Sequence, residues 1–139
     1  MASAQAYVDF KSFLQGRMTP IPVIDFDQID TALQQATGQF LALEESYSED
    51  IENGFGDPNN VCMREESEII IHCFVPAPES SSIARALADR VANELRYQRI
   101  NDLRVVRTSG AEPEGLNDGL WSLFLLPVLI HYDRHIALP

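Results

Sequence analysis

Two kinds of patterning alternate along this chain. Ala4 to Gln15 places Ala6, Tyr7, Phe10, Phe13 and Leu14 at helical spacing, which predicts an amphipathic helix with Ser3 as cap and Gly16 as stop. Pro20 and Pro22 then force extended chain, with Val23 to Phe26 the best candidate for an edge strand. Ile29, Leu33 and Ala36 suit either a short helix or a loop. Gln39 to Ser48 reads as a strand, and Glu49 to Asn60, rich in acids, Gly, Asn and Pro, as a long loop or wide hairpin connection. From Val61 to Val75 strand character returns. Ile69, Ile71, Cys73 and Val75 share one face, and Ile70, His72 and Phe74 share the other.

Across the joint "PAPESSS", Ile83, Leu87, Val91 and Leu95 recur every fourth residue among alanines, which predicts a helix able to lie close on a sheet. Leu103 to Thr108 is a short strand. "LWSLFLLPVLIHYDRHIAL" is a final strand in which Leu120, Phe124, Leu126, Val128 and Ile130 oppose Trp121, Leu123, Leu125 and Leu129, with Pro127 demanding an edge or a bulge. The expected fold is α+β: a single domain over residues 1–139, built on a mixed or antiparallel sheet of four to five strands with helices on one face. Expected packing positions are Ile69, Ile71, Phe74, Leu87, Val91, Trp121, Phe124 and Val128. Two strands apolar on both sides and only two clear helices leave one sheet face without a cover from its own chain. Such a face normally marks an interface.

Charge sharpens that expectation. The net charge of −11 argues against a free-standing nucleic-acid binder. Between Glu44 and Glu68 nine acids accompany one base, Arg64, and the acidic loop spans about 46–60. Between Ile83 and Arg107 stand Arg85, Arg90, Arg96, Arg99, Arg104 and Arg107, six of the ten basic residues. These are either two solvated faces or complementary surfaces on neighbouring copies, the device by which a head-to-tail ring fixes its register. The candidate contacts are Arg85, Arg90, Arg96 and Arg99 with Glu49, Asp50 and Glu52.

Catalytic signatures are sparse. His131, Asp133 and His135 alternate and would project to one side of a strand, where imidazoles with a carboxylate can hold zinc or iron; a polar face on a terminal strand explains them equally. His72 and Cys73 are sequence neighbours and so fall on opposite strand faces, the wrong geometry for a nucleophile and its base. His72 reads as a core or interface histidine, and Cys73 as a small core residue. A Cys62–Cys73 disulfide stays open. No phosphate loop or dinucleotide fingerprint is present, and the N-terminus lacks the features of a secretory signal. No run reaches the roughly 20 apolar residues of a membrane span. A soluble intracellular product is expected.

In order and spacing, "MTPIPVIDF" after a first helix, "FVPAP" leading into "SIARALADRVANELR", and "DGLWSLFLLPVLIHY" as the last strand resemble the tail-terminator (tail completion) proteins of long-tailed bacteriophages. The Glu44 to Asn60 region departs from that pattern. The resemblance implies a non-enzymatic virion protein without cofactor, assembled in the host cytoplasm. It implies a hexameric ring on the last ring of the tail tube that ends tube polymerisation and offers a surface to head-completion or neck proteins. DNA would pass through its pore without specific binding, helped by a repulsive acidic lining. Membrane contact is not implied. Another neck or head-completion protein, a metal-dependent enzyme using His131, Asp133 and His135, and a small-ligand binding module remain alternatives.

Overall fold

A computed structural model describes residues 4–52, 60–76, 81–114 and 121–137. In chain order the elements are α1 (Ala4–Met18), β1 (Val23–Asp25), a 3-10 turn (Phe26–Gln28), α2 (Ile29–Gln35), β2 (Phe40–Glu52), β3 (Asn60–Pro76), α3 (Ser81–Leu95), β4 (Arg99–Ile100), β5 (Leu103–Thr108), β6 (Glu112–Glu114) and β7 (Trp121–Ala137). The strands form one mixed sheet in the order β1-β2-β3-β7-β5-β4, with β6 also pairing β7. The α+β class holds, but the sheet has seven strands among the described residues rather than four or five. The extra ones, β4 and β6, are two or three residues long, too short to leave a periodic signal.

Of the acidic loop expected at 46–60, residues 46–52 and 60 are strand, and 53–59 lie outside the described residues. β2 runs on to Glu52 and β3 begins at Asn60, so the acids stand along a long hairpin. Continuous pairing with β3 outweighs a composition unfavourable to strands, and a bulge between Glu45 and Tyr47 adjusts the register. α1 passes through Gly16 to Met18, because Leu14 and Met18 are fully buried and tertiary packing holds the last turn. Ser3 lies outside the described residues. β1 keeps only Val23–Asp25 of its expected range and pairs in parallel with β2.

One sheet face carries Leu41, Leu43, Ile69, Ile71, Cys73, Val75, Leu103, Val105, Phe124, Leu126, Val128 and Ile130. On it lie α1, through Ala6, Phe10, Leu14 and Met18, and α3, through Ala84, Leu87, Ala88, Val91 and Leu95. The other face holds Phe40, Ala42, Phe74, Trp121 and Leu123. There the expectation of helices on one face alone is corrected. Ile29, Ala32, Leu33 and Ala36 pack α2 onto this second face, with Phe26 and Ile24 beside them. Phe40 stacks on Phe74 at 4.6 Å between centroids, and Trp121 meets both edge-on. All eight expected packing positions, Ile69, Ile71, Phe74, Leu87, Val91, Trp121, Phe124 and Val128, are buried.

Pro127 sits in a central strand, opposite Ile70 of β3. Its carbonyl accepts from Ser109 N at 2.9 Å, so its missing N–H also faces the gap between β5 and β6, and the ladder to β3 is undisturbed. Cys62 and Cys73 lie on the same strand 11 positions apart, about 36 Å of extended chain, which forbids a bridge within one molecule. Among the described residues no helix is long and apolar enough to cross a membrane.

Candidate assembly surface

The acids gather along one border of the sheet. β1 covers β2 only at Leu41–Leu43, and beyond Asp25 no described strand pairs the outer border of β2. Glu44 and Glu45 are half-buried there, while Glu49 and Asp50 are exposed. Glu52 closes β2 opposite Met63, and its side chain lies outside the described residues. Where β1 ends, a cleft of about 330 Å³ opens between Tyr7, Phe26 and Leu43, rimmed by Asp25, Asp27, Glu44 and Glu45. Inside it Tyr7 Oη donates to Asp25, and Lys11 Nζ lies 3.0 Å from the same carboxylate. The tyrosine hydroxyl and then the ammonium hold the Asp25 carboxyl below its ordinary range, against the opposing effect of burial. Aspartate at this position stays ionised at neutral pH. Burial and Asp25 together push the Tyr7 phenol up, so the phenol remains a donor.

Arg96, Arg99, Arg104 and Arg107 gather toward the opposite border, while Arg85 and Arg90 stand on α3 over the sheet face. Arg85 and Arg90 are exposed on α3, with the Arg85 guanidinium 5.2 Å above the Phe124 ring of its own chain. Arg96 donates to Asn93 Oδ1 at 2.6 Å. Arg99 opens β4, opposite Arg104 of β5, and both are exposed, as is Arg107. β4 is the outermost strand, with no described neighbour on its far side. Between Arg96 and Arg99 stands Tyr97, which is 97% exposed and has φ 60°.

The expected acidic and basic contacts are therefore not joined within the chain. Four strand spacings separate β2 from β4, about 19 Å, well beyond the roughly 10 Å over which 0.1 M salt leaves charges in communication. Arg104 and Arg107, which lie nearer the middle of the sheet on β5, act instead on Asp133 and Glu66 of the same chain.

Between the two borders, β2, β3 and β7 extend together as a three-stranded ribbon whose polar face is cross-linked in register. Arg64 donates from Nε to Asp133 Oδ1 at 2.8 Å and from Nη2 to Oδ2 at 3.2 Å. Glu66 accepts from His131 Nε2 at 2.9 Å and from Tyr47 Oη at 3.0 Å. His131 and Asp133 do share this face, opposite Glu66 and Arg64 of β3, and in the backbone register His135 pairs with Cys62. His131 and Asp133 are each held by a β3 side chain, and the His135 side chain lies outside the described residues. No group of three metal-binding side chains occurs among the described residues. His72 is buried beneath Phe26, with ring centroids 4.4 Å apart and Nε2 3.6 Å from Glu44 Oε1. It helps line a groove of about 450 Å³ between α2 and the second sheet face. Cys73 is fully buried, and burial pushes its thiol up to about 12, which disfavours the thiolate a nucleophile needs.

Sequence reading found the charged segments but missed Tyr97 and the cleft. The available signal for Tyr97 was a lone aromatic between arginines directly after the last apolar helical position. The cleft joins α1, β1 and β2, and no local pattern announces it.

No family model matches the chain, and no curated protein matches it. Among solved structures, a chain 14% identical in sequence aligns over 93% of this chain and 90% of its own length, with a TM-score of 0.47.

Proposed function

We propose that this protein is a virion structural subunit of the tail-terminator kind. It acts without catalysis or cofactor, closing head-to-tail into a ring, most simply a hexamer, on the end of a phage tail tube. The observation that carries this reading is the division of charge across one sheet. An acidic, unpaired β2 border and a basic β4 border stand on opposite sides of the same protomer. A two-fold contact through either border alone would set that border against itself, whereas a rotating head-to-tail contact sets acid against base at every step. In this reading the ring stops tube polymerisation, offers its other side to a neck protein, and lets DNA through a pore that does not hold it.

The test has two parts. Light scattering over a range of concentration and salt is expected to show a mass climbing toward six times 15.6 kDa, and falling back as salt rises. Added to purified tail tubes, the protein is expected to bind one end and block further growth. Tubes that keep elongating in its presence refute the terminator reading. A small-ligand binding module is the second reading, favoured by the groove under α2. It predicts a monomer at all concentrations.

A further inference from the structure

We infer that Tyr97 of one copy seats in the Tyr7–Phe26 cleft of the next. This contact rests on the head-to-tail reading above and names the surfaces that meet.

Tyr97 occupies the first left-handed position after α3, where Gln98 N returns to Leu95 O at 3.2 Å and Arg96 N to Ala92 O at 3.0 Å. Helix ends favour glycine at that position, because a side chain there crowds the backbone. Here a bulky ring takes it and stands almost wholly in solvent. At that exposure the ring buries almost nothing against the described residues of its own chain. An exposed tyrosine beside arginines has the composition of an interface anchor.

The cleft at the other border matches it in shape and sign. It is concave, lies where β1 gives out and β2 becomes an open border, and is walled by Tyr7, Phe26 and Leu43. A cavity of about 330 Å³ has room for one aromatic side chain together with part of a flanking arginine. Its rim carries Asp25, Asp27, Glu44 and Glu45, while Arg96, Arg99 and Arg107 accompany Tyr97. The ring would pack on apolar walls while the guanidinium groups reach the carboxylates. Charge complementarity assigns the occupant as a second copy. A tyrosine-and-arginine segment of another protein is the competing outcome.

The test replaces Tyr97 with p-benzoylphenylalanine, an aromatic photo-crosslinker that a fully exposed site tolerates, and irradiates the purified protein. The expected product is a ladder of covalent oligomers whose cross-links map to Tyr7, Phe26 or Leu43 of the neighbouring chain. Cross-links at any other surface, or no covalent oligomer at all, overturn the inference. Tyr97→Gly supplies a second readout: relieved of a strained backbone, the variant should unfold no earlier than the parent, yet self-associate at least tenfold more weakly. Unchanged association in that variant also overturns it. Correctly mapped cross-links in a protein that fails to block tail-tube growth would keep this contact and refute the terminator role. Blocked growth with cross-links elsewhere would do the reverse.

Discussion

Ile70 and Ile71 are adjacent on β3, chemically identical, and turned to opposite faces, which makes them a matched pair for measuring how differently the two faces are covered. Ile71 is fully buried between Leu43 and Leu126, beneath α1 and α3. Ile70 lies between Glu44 and Pro127, half-buried in the open groove under α2. Truncation to alanine removes three carbons and changes strand preference equally at both sites, so the backbone contribution cancels in the difference. At Ile71 the lost transfer free energy is about 2.4 kcal/mol at ~0.8 per buried carbon, and a sealed cavity raises the total toward ~3–4 kcal/mol. At Ile70 roughly half the transfer is lost and the space left opens to solvent, giving about 1 kcal/mol. Urea unfolding of dilute protein, followed by far-UV circular dichroism, should show Ile71→Ala lowering the midpoint far more than Ile70→Ala with the slope unchanged. Equal losses in the monomer would refute the claim that the second face is only partly covered.

Two further outcomes follow from single side chains. The Arg64 hydrogen bonds hold the Asp133 carboxyl below its ordinary range, so the pair stabilises above pH ~4 and is lost as pH falls through the depressed folded value. Asp133→Asn should therefore flatten the acid limb of stability below pH 4 while changing its shape little above pH 6; an unchanged acid limb would exclude the pair as its source. Cys73, buried with its thiol pushed up to about 12, should resist a thiol reagent at pH 8 until the protein unfolds. Peptide mapping that finds Cys73 labelled at the rate of a free thiol would contradict the sheet as described.

Where one segment carried its own signal, the sequence disclosed the structure. The opposed apolar rows of β3 and β7 and the fourfold spacing of α3 reappear as the two sheet faces and the helix lying on one of them. The charged segments were equally plain, because composition survives without coordinates. What stayed hidden depends on partners distant in the chain. Glu49 and Asp50 are strand residues only because β3 lies alongside them. β1 was legible as an edge strand, but its parallel pairing with β2 was not. The cleft needs three elements at once, and the conformation of Tyr97 is a helix-end effect that a propensity reading would have given to glycine.

The position of β7 between β3 and β5 bears on how the molecule is made. Its register joins Pro76 to Trp121 at one end and Asn60 to Ala137 at the other, so the middle of the sheet waits on a strand synthesised after both of its neighbours. Until it leaves the ribosome, the β2–β3 hairpin carries an unsatisfied inner border and β5 has no sheet to join. Folding is thereby tied to completion of this strand, and a nascent chain halted before Trp121 would hold two halves that cannot meet, exposed to chaperones and proteases in the interval.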